Sequence, residues 1–167
     1  KDFNISIKRG YLKNLHLAQI ITNAKIKNTD KVLHVGGLTG YLSVIIAKIC
    51  NQLVVLENED DNISLLKNNF TINKLDNIKI VNGNLDKGFV EESPYDLIII
   101  DCPIYNLNQI FIDQLSKEGR LIYIEKINNE LAKAYKIIKT KGSFSKEYLF
   151  DVFSEFSIDK KNEEFEF

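Results

Sequence analysis

Val32-Leu33-His34-Val35-Gly36-Gly37-Leu38-Thr39-Gly40-Tyr41 passes from an apolar run into a glycine-rich turn, and a helix-periodic stretch follows. Twenty-one positions after Gly36, Glu57 ends a second apolar run, Leu53-Val54-Val55-Leu56. Strand, glycine loop, helix, strand and terminal acid is the layout of a nucleotide-cofactor crevice in an open α/β sheet. Glycines there let the backbone approach the ligand, and the acid receives ribose hydroxyls. The spacing is looser than G-x-G-x-x-G, because Leu38 and Tyr41 stand where strict spacing puts glycine. A plain strand-to-helix turn therefore remains an alternative for the loop, and a solvated helix-opening acid beside Glu59, Asp60 and Asp61 an alternative for Glu57.

Working outward, apolar strand-like runs recur at 31–36, 52–57, 77–82, 95–101 and 119–125, and helices are predicted at 40–50, 60–72 and 106–116. Before them, 15–26 places Leu17, Ile20, Ile21 and Ala24 on one helical stripe, with Asn14 as a candidate cap. A run such as Leu97-Ile98-Ile99-Ile100, apolar on both faces, belongs inside a parallel sheet covered by helices. After Lys126 the pattern changes to Ala134–Thr140 and Phe144–Phe153, joined by Lys141-Gly142 and read as a hairpin. A helix over Glu130–Ile138 is the competing reading.

The 167 residues carry 44% hydrophobic side chains, enough for one domain with a proper core. A net charge of −1 leaves no global basic field for a nucleic-acid backbone, so no nucleic-acid partner is expected. No apolar run reaches the roughly 18–20 residues of a membrane span, and the beginning is not built like a signal peptide, which predicts a cytoplasmic protein with no membrane partner. Cys50 and Cys102 lie in or beside apolar segments and are expected as buried free thiols. The chain has no methionine, even at position 1, which implies that N-terminal sequence is missing. No metal-ligand cluster is visible, and the oligomeric state is left open.

The order of elements resembles the class I S-adenosylmethionine-dependent methyltransferases, with a Rossmann-like, seven-stranded, mostly parallel sheet closed by a C-terminal antiparallel hairpin. Within them the chain most resembles the protein-L-isoaspartate O-methyltransferase group, over nearly its full length. The resemblance rests on 32–41, on Val55-Leu56-Glu57, on 76–84, on Pro94-Tyr95-Asp96-Leu97-Ile98-Ile99-Ile100-Asp101, and on Leu115-Ser116-Lys117-Glu118-Gly119-Arg120-Leu121-Ile122. It implies S-adenosylmethionine as cofactor and an isoaspartyl carboxylate of a protein or peptide as acceptor. Carried over by position, Gly36, Gly37, Thr39 and Gly40 shape the loop under the methionine moiety, Glu57 takes the ribose hydroxyls, and Asn84 and Leu85 take the adenine side. Asp101 ends strand four at the mouth of the crevice, or else caps the next turn through Pro103.

The departures are informative. The group has an acid where this chain has His34, a small residue at Leu38 and Asp at Asn84. His34 reads more readily as a satisfied strand-end histidine than as a base. Leu38 would carry about 1–3 kcal/mol of strain if its position requires positive φ. A Thr-Ile-Ser segment ahead of the first helix falls near Tyr11-Leu12-Lys13, which implies loss of a substrate-positioning hydroxyl and weak isoaspartyl methylation. A divergent bacterial branch of the group shares Thr39-Gly40, Gly83-Asn84-Leu85 and an alternating aromatic tail like Glu164-Phe165-Glu166-Phe167. The alternative to an active enzyme is an impaired homologue kept as a cofactor-binding or protein-binding module. A dinucleotide oxidoreductase is disfavoured by the glycine spacing and the terminal hairpin.

Overall fold

The computed structural model describes residues 8–162. The sequence Glu164-Phe165-Glu166-Phe167 lies outside the described residues. Helix α1 (Asn14–Ala24) leads into β1 (Lys31–Val35), α2 (Tyr41–Ile49), β2 (Gln52–Glu57), α3 (Asp60–Ile72) and β3 (Ile78–Asn82). Two 3₁₀ turns follow, then β4 (Tyr95–Ile104), α4 (Ile110–Asp113), β5 (Leu115–Lys126), β6 (Leu131–Thr140) and β7 (Ser143–Phe153). The strands form a seven-stranded sheet in the order β3-β2-β1-β4-β5-β6-β7. Pairings from β3 through β5 are parallel, while β5 with β6 and β6 with β7 are antiparallel. The sequence-based fold class is therefore the observed one.

Period-2 alternation sorts the strand residues onto two faces. Val32, Leu53, Val55, Leu97 and Ile99 meet Leu17 and Ile20 of α1, Leu42 and Ile46 of α2, and Leu66 and Phe70 of α3. Leu33, Val35, Val54, Ile98 and Ile100 meet Phe111, Ile112 and Tyr123 on the other face. The central strands are thus buried on both sides, as their unbroken apolar runs require. By the same alternation His34, Glu57 and Asp101 all belong to the first face, in the carboxyl-terminal halves of their strands. That is how these three polar side chains come to lie inside the layer between the sheet and its helices.

The β6 reading over the helical alternative is explained by pairing on both sides. Ala132 and Ala134 are buried between β5 and β7, where their small side chains fit under Phe150 and Val152. Asn14 is the first residue of α1 rather than its cap, and Lys13 at the cap position makes no side-chain capping bond. The C-terminal end of α1 is instead closed by Arg120, whose Nε donates to the Ala24 carbonyl at 2.7 Å and whose Nη2 donates to Asp30 Oδ2 at 2.7 Å. Nη2 also donates to the Lys25 carbonyl at 3.0 Å, and carbonyls at a helix C-terminus have no partner within the helix, so the Gly119-Arg120-Leu121 segment has a structural role here.

The predicted helix at 106–116 is corrected to one turn. Before that turn, the backbone N–H groups of Tyr105 and Asn106 donate to the Asp159 carboxylate at 2.6 and 2.9 Å, which holds the chain out of helical geometry. After it, Gln114 accepts from Phe89 N and donates to Lys87 O, and its own carbonyl accepts from Tyr95 N. Leu115 then pairs with Tyr95, so β5 starts earlier than 119 and reaches its main register through an irregularity. Likewise β4 runs on to Ile104, beyond the predicted 101.

Candidate functional site

The loop Gly36–Gly40 follows β1 at the carboxyl edge of the sheet. All three of its glycines are required by geometry, Gly36 by its φ of 79. A Cβ on Gly37 would lie 2.3 Å from Val55 Cγ1, and Gly40 has φ 101 at the residue preceding α2. Leu38 lies between them in the left-handed region, with φ 51, which is uncommon and strained for a branched side chain. Its N–H donates 2.8 Å to Glu57 Oε2, so the strain is held in place by a charge-assisted bond.

Glu57 is fully buried, which removes the reading of a solvated helix-opening acid. Its Oε1 accepts from the backbone N–H of Asn58 at 2.8 Å and Glu59 at 3.3 Å. The Arg9 guanidinium completes the set, with Nη1 to Oε1 and Nη2 to Oε2 both at 2.7 Å. Burial pushes the carboxyl up, but the Arg9 bonds and the N–H groups of Asn58 and Leu38 outweigh it and hold Glu57 below the ordinary range. Arg9 is raised in turn: burial works against its charge, and the Glu57 carboxylate more than offsets that.

Beside this pair opens a cavity of about 550 Å³ whose walls include Arg9, Asn58, Asn84, Leu85, Ile100 and Phe111. Asn84 Oδ1 accepts from Asp86 N at 2.9 Å, which starts the 3₁₀ turn and buries Leu85. Its lining is mixed: Leu85, Ile100, Ile104, Phe111 and Ile158 give apolar surface, and Arg9, Asn58, Glu59, Asn84, Asp86 and Asn106 give charged and amide groups, which suits a ligand with both a flat apolar part and polar edges. Asn84 and Leu85 line this cavity, and Glu57 lies behind Arg9, which does. Thr39 is turned toward the N-terminal segment, where its Oγ1 lies 2.5 Å from the Tyr11 hydroxyl.

Asp101 does not cap the turn at Pro103. Its Oδ1 lies 2.8 Å from His34 Nε2, and His34 Nδ1 lies 2.7 Å from Ser43 Oγ. All three side chains are buried, so His34 is a satisfied core histidine, and Ser43, with no exposed surface, has no route to a substrate. The two cysteines are free and buried. Burial pushes Cys50 up to about 11 and Cys102 up to about 12, so neither offers a thiolate near neutrality. Among the described residues no group of three or more His, Cys, Asp or Glu could hold a metal ion. No helix among them is long and apolar enough to cross a membrane.

Ahead of α1, the Tyr11 hydroxyl is spent on the glycine loop, and Leu12, in the segment where the resemblance implies a substrate-side hydroxyl, is buried. The Tyr11 hydroxyl accepts from the N–H groups of Thr39 at 2.9 Å and Tyr41 at 3.3 Å, so it pins the glycine loop from outside. Arg9, on the same segment, had no sequence signal: its partner lies 48 positions away. Ser43 could have been found, since it falls on the inner face of α2 opposite His34.

The comparisons with known proteins agree with this architecture. A Plasmodium falciparum protein described as a protein-L-isoaspartate O-methyltransferase, crystallised with S-adenosyl-L-homocysteine, superposes with a TM-score of 0.72 at 26% identity, over 95% of this chain and 80% of its own. Another solved protein-L-isoaspartate O-methyltransferase shares the fold with a TM-score of 0.75 at 21% identity, over 97% of this chain and 51% of its own. Among sequences, the protein-L-isoaspartate O-methyltransferase of Methanococcus aeolicus is 32% identical over 72% of this chain and 58% of the relative. That of Methanoculleus marisnigri is 29% identical over 64% and 48% respectively, so the chain spans about half the length of that relative. The pattern of the family described as protein-L-isoaspartate(D-aspartate) O-methyltransferase matches residues 4–153. With nearly the whole chain matched, from the segment bearing Arg9 to the last strand, this protein belongs to the protein-L-isoaspartate(D-aspartate) O-methyltransferase family.

Proposed function

We propose that the chain binds S-adenosylmethionine at the carboxyl ends of β1, β2 and β4, and methylates the free carboxylate of an isoaspartyl residue in damaged protein. The observation that carries this reading is Glu57, a buried carboxylate at the end of β2 whose two oxygens both face Arg9, a residue that lines the neighbouring cavity. In this reading Glu57 receives the ribose hydroxyls, and Leu85, Ile100 and Phe111 enclose adenine. The Asn84 amide, whose oxygen is already used by Asp86, offers its NH₂ to the adenine edge. Gly36, Gly37, Thr39 and Gly40 lie under the methionine moiety. Asp101 supports the loop from below through His34.

Bound S-adenosylmethionine would supply an electrophilic sulfonium methyl for an acceptor carboxylate, with a neutral thioether as the leaving group. The protein's part is to orient and to exclude water. The acceptor is already anionic and the leaving group good, so no general base is needed, and alignment supplies most of the acceleration. Opposite charges are neutralised in the reaction, so a dry, apolar crevice favours it. The rigid loop, clamped between Glu57 and Tyr11, suits that task. The buried free thiols accord with a reducing, cytoplasmic setting.

The test is transfer of labelled methyl from S-adenosylmethionine to an isoaspartyl peptide and to its aspartyl counterpart. Base-labile label on the isoaspartyl peptide alone is expected, at turnover below the roughly 1 per second ordinary for enzymes. Cofactor binding with no transfer to either peptide would instead favour a cofactor-binding module.

A further inference from the structure

Glu57 has no capacity left for a ligand. A carboxylate offers about four lone-pair sites. Five donors already occupy this one: Arg9 Nη1, Asn58 N and Glu59 N on Oε1, and Arg9 Nη2 and Leu38 N on Oε2. Three of the five are backbone groups fixed by the loop and by the start of α3. Only Arg9 can leave without unfolding the site.

Arg9 also has the shape of the group it would yield to. Its two terminal nitrogens each lie 2.7 Å from a separate carboxylate oxygen, the bidentate pattern that a vicinal diol makes with the same acceptor. Its Nη2 lies so near the glycine loop that a Cβ on Gly36 would come within 3.2 Å of it. Arg9 therefore fills the space between the loop and the cavity it lines. The side chain is 7% exposed, and its Nε is buried with no acceptor among the described residues. The guanidinium is held firmly at one end and is unsatisfied at the other.

A destination is at hand. Nη1 already lies 3.1 Å from Asn58 Oδ1 and 3.5 Å from Glu59 Oε1, and the Glu59 side chain is 58% exposed at the rim. The backbone beneath is anchored: Lys8 O accepts from Ser157 N, the Tyr11 hydroxyl is fixed on the loop, and Leu12 is buried. A side-chain swing toward Glu59 leaves those contacts in place.

Resting on the cofactor reading above, we propose that Arg9 is a displaceable occupant of the ribose subsite. Arg9 takes the positions on Glu57 that the ribose diol of S-adenosylmethionine requires, and binding exchanges the guanidinium for the diol. Arg9 then pairs with Glu59 and lies over the bound nucleoside. Cofactor affinity is thereby set as a difference between two occupants of one carboxylate. A residue lining the cofactor cavity acts as a competitor of the cofactor.

The experiment is calorimetric titration of S-adenosylhomocysteine into the wild type and Arg9→Met, which keeps the aliphatic stem and removes the donors. Tighter binding by Arg9→Met, about tenfold or more, is expected. Equal or weaker binding by the variant, with the wild type still binding, would overturn the exchange and leave the cofactor reading intact. Failure of both proteins to bind would overturn the two together. A second readout needs no substitution: in wild-type protein labelled at arginine, the Arg9 guanidinium protons should exchange slowly with water and become fast on saturation with S-adenosylhomocysteine. Unchanged slow exchange in the saturated complex would show that Arg9 stays on Glu57, and would overturn the proposal even if Arg9→Met fails to fold.

Discussion

His34 on β1 and Asp101 on β4 meet at 2.8 Å, two buried side chains on one face of the sheet joined beneath the glycine loop. The other imidazole nitrogen meets Ser43 of α2, so a buried polar chain links both strands to the helix that the loop starts. Removing Asp101 strands a buried imidazole nitrogen, which costs about 1–3 kcal/mol. We expect Asp101→Ala and His34→Ala each to destabilise to denaturant, with a double mutant well short of additive and a coupling above roughly 0.5 kcal/mol. Additive effects would mean that the two groups do not depend on each other. Asp101→Ala should also weaken S-adenosylhomocysteine binding less than Glu57→Ala.

Glu57 links stability to pH. Its folded-state carboxyl is held below the ordinary value near roughly 4.3, so the unfolded chain takes up a proton there first. The stabilisation is complete above the unfolded value and is lost as pH falls through the folded one. Glu57→Gln should therefore be less stable than the wild type at pH 7, by about 3 kcal/mol given a buried charge left with Asn58 and Glu59 for partners. That gap should narrow toward pH 3. A gap independent of pH would place the loss in packing rather than in charge.

Leu38 tests backbone strain against burial. At φ 51 it is strained, yet its side chain is only 9% exposed. Leu38→Ala loses apolar burial worth about 2 kcal/mol and keeps the left-handed residue. Leu38→Gly loses the same burial and relieves the strain, so it should be the more stable of the two by about 1 kcal/mol in urea unfolding. The opposite order would show that the left-handed turn is unstrained.

Tyr11→Phe removes one hydroxyl that serves the N–H groups of Thr39 and Tyr41 and the Thr39 side chain. A loss of about 1–2 kcal/mol is expected, with faster hydrogen exchange at the Thr39 and Tyr41 amides in particular. Unchanged protection at those two amides would remove Tyr11 from the support of the loop.

The parallel core was legible because its strands are apolar on both faces, a pattern that only a helix-covered sheet satisfies. The glycine loop and Glu57 were legible because their spacing follows from one strand-helix-strand unit. What sequence missed depends on contacts between distant segments. The short α4 is set by Asp159 and Gln114, neither of which alters the local apolar period of 106–116. Arg9 and Tyr11 sit in a stretch without periodicity, where nothing local reveals a partner in β2 or in the loop. Asp101 was ambiguous because a strand-end acid before Pro103 has a local use as a cap, and its real partner, His34, lies on another strand.

The central claim is that Glu57 is a ribose acceptor, and the most direct measurement is a crystal structure of the chain soaked with S-adenosylhomocysteine. Both ribose hydroxyls are expected within hydrogen-bonding distance of the two Glu57 oxygens, with adenine against Leu85 and Phe111 and the Arg9 guanidinium moved off the carboxylate. A nucleoside bound elsewhere, with Arg9 still bridging both oxygens of Glu57, would contradict that claim.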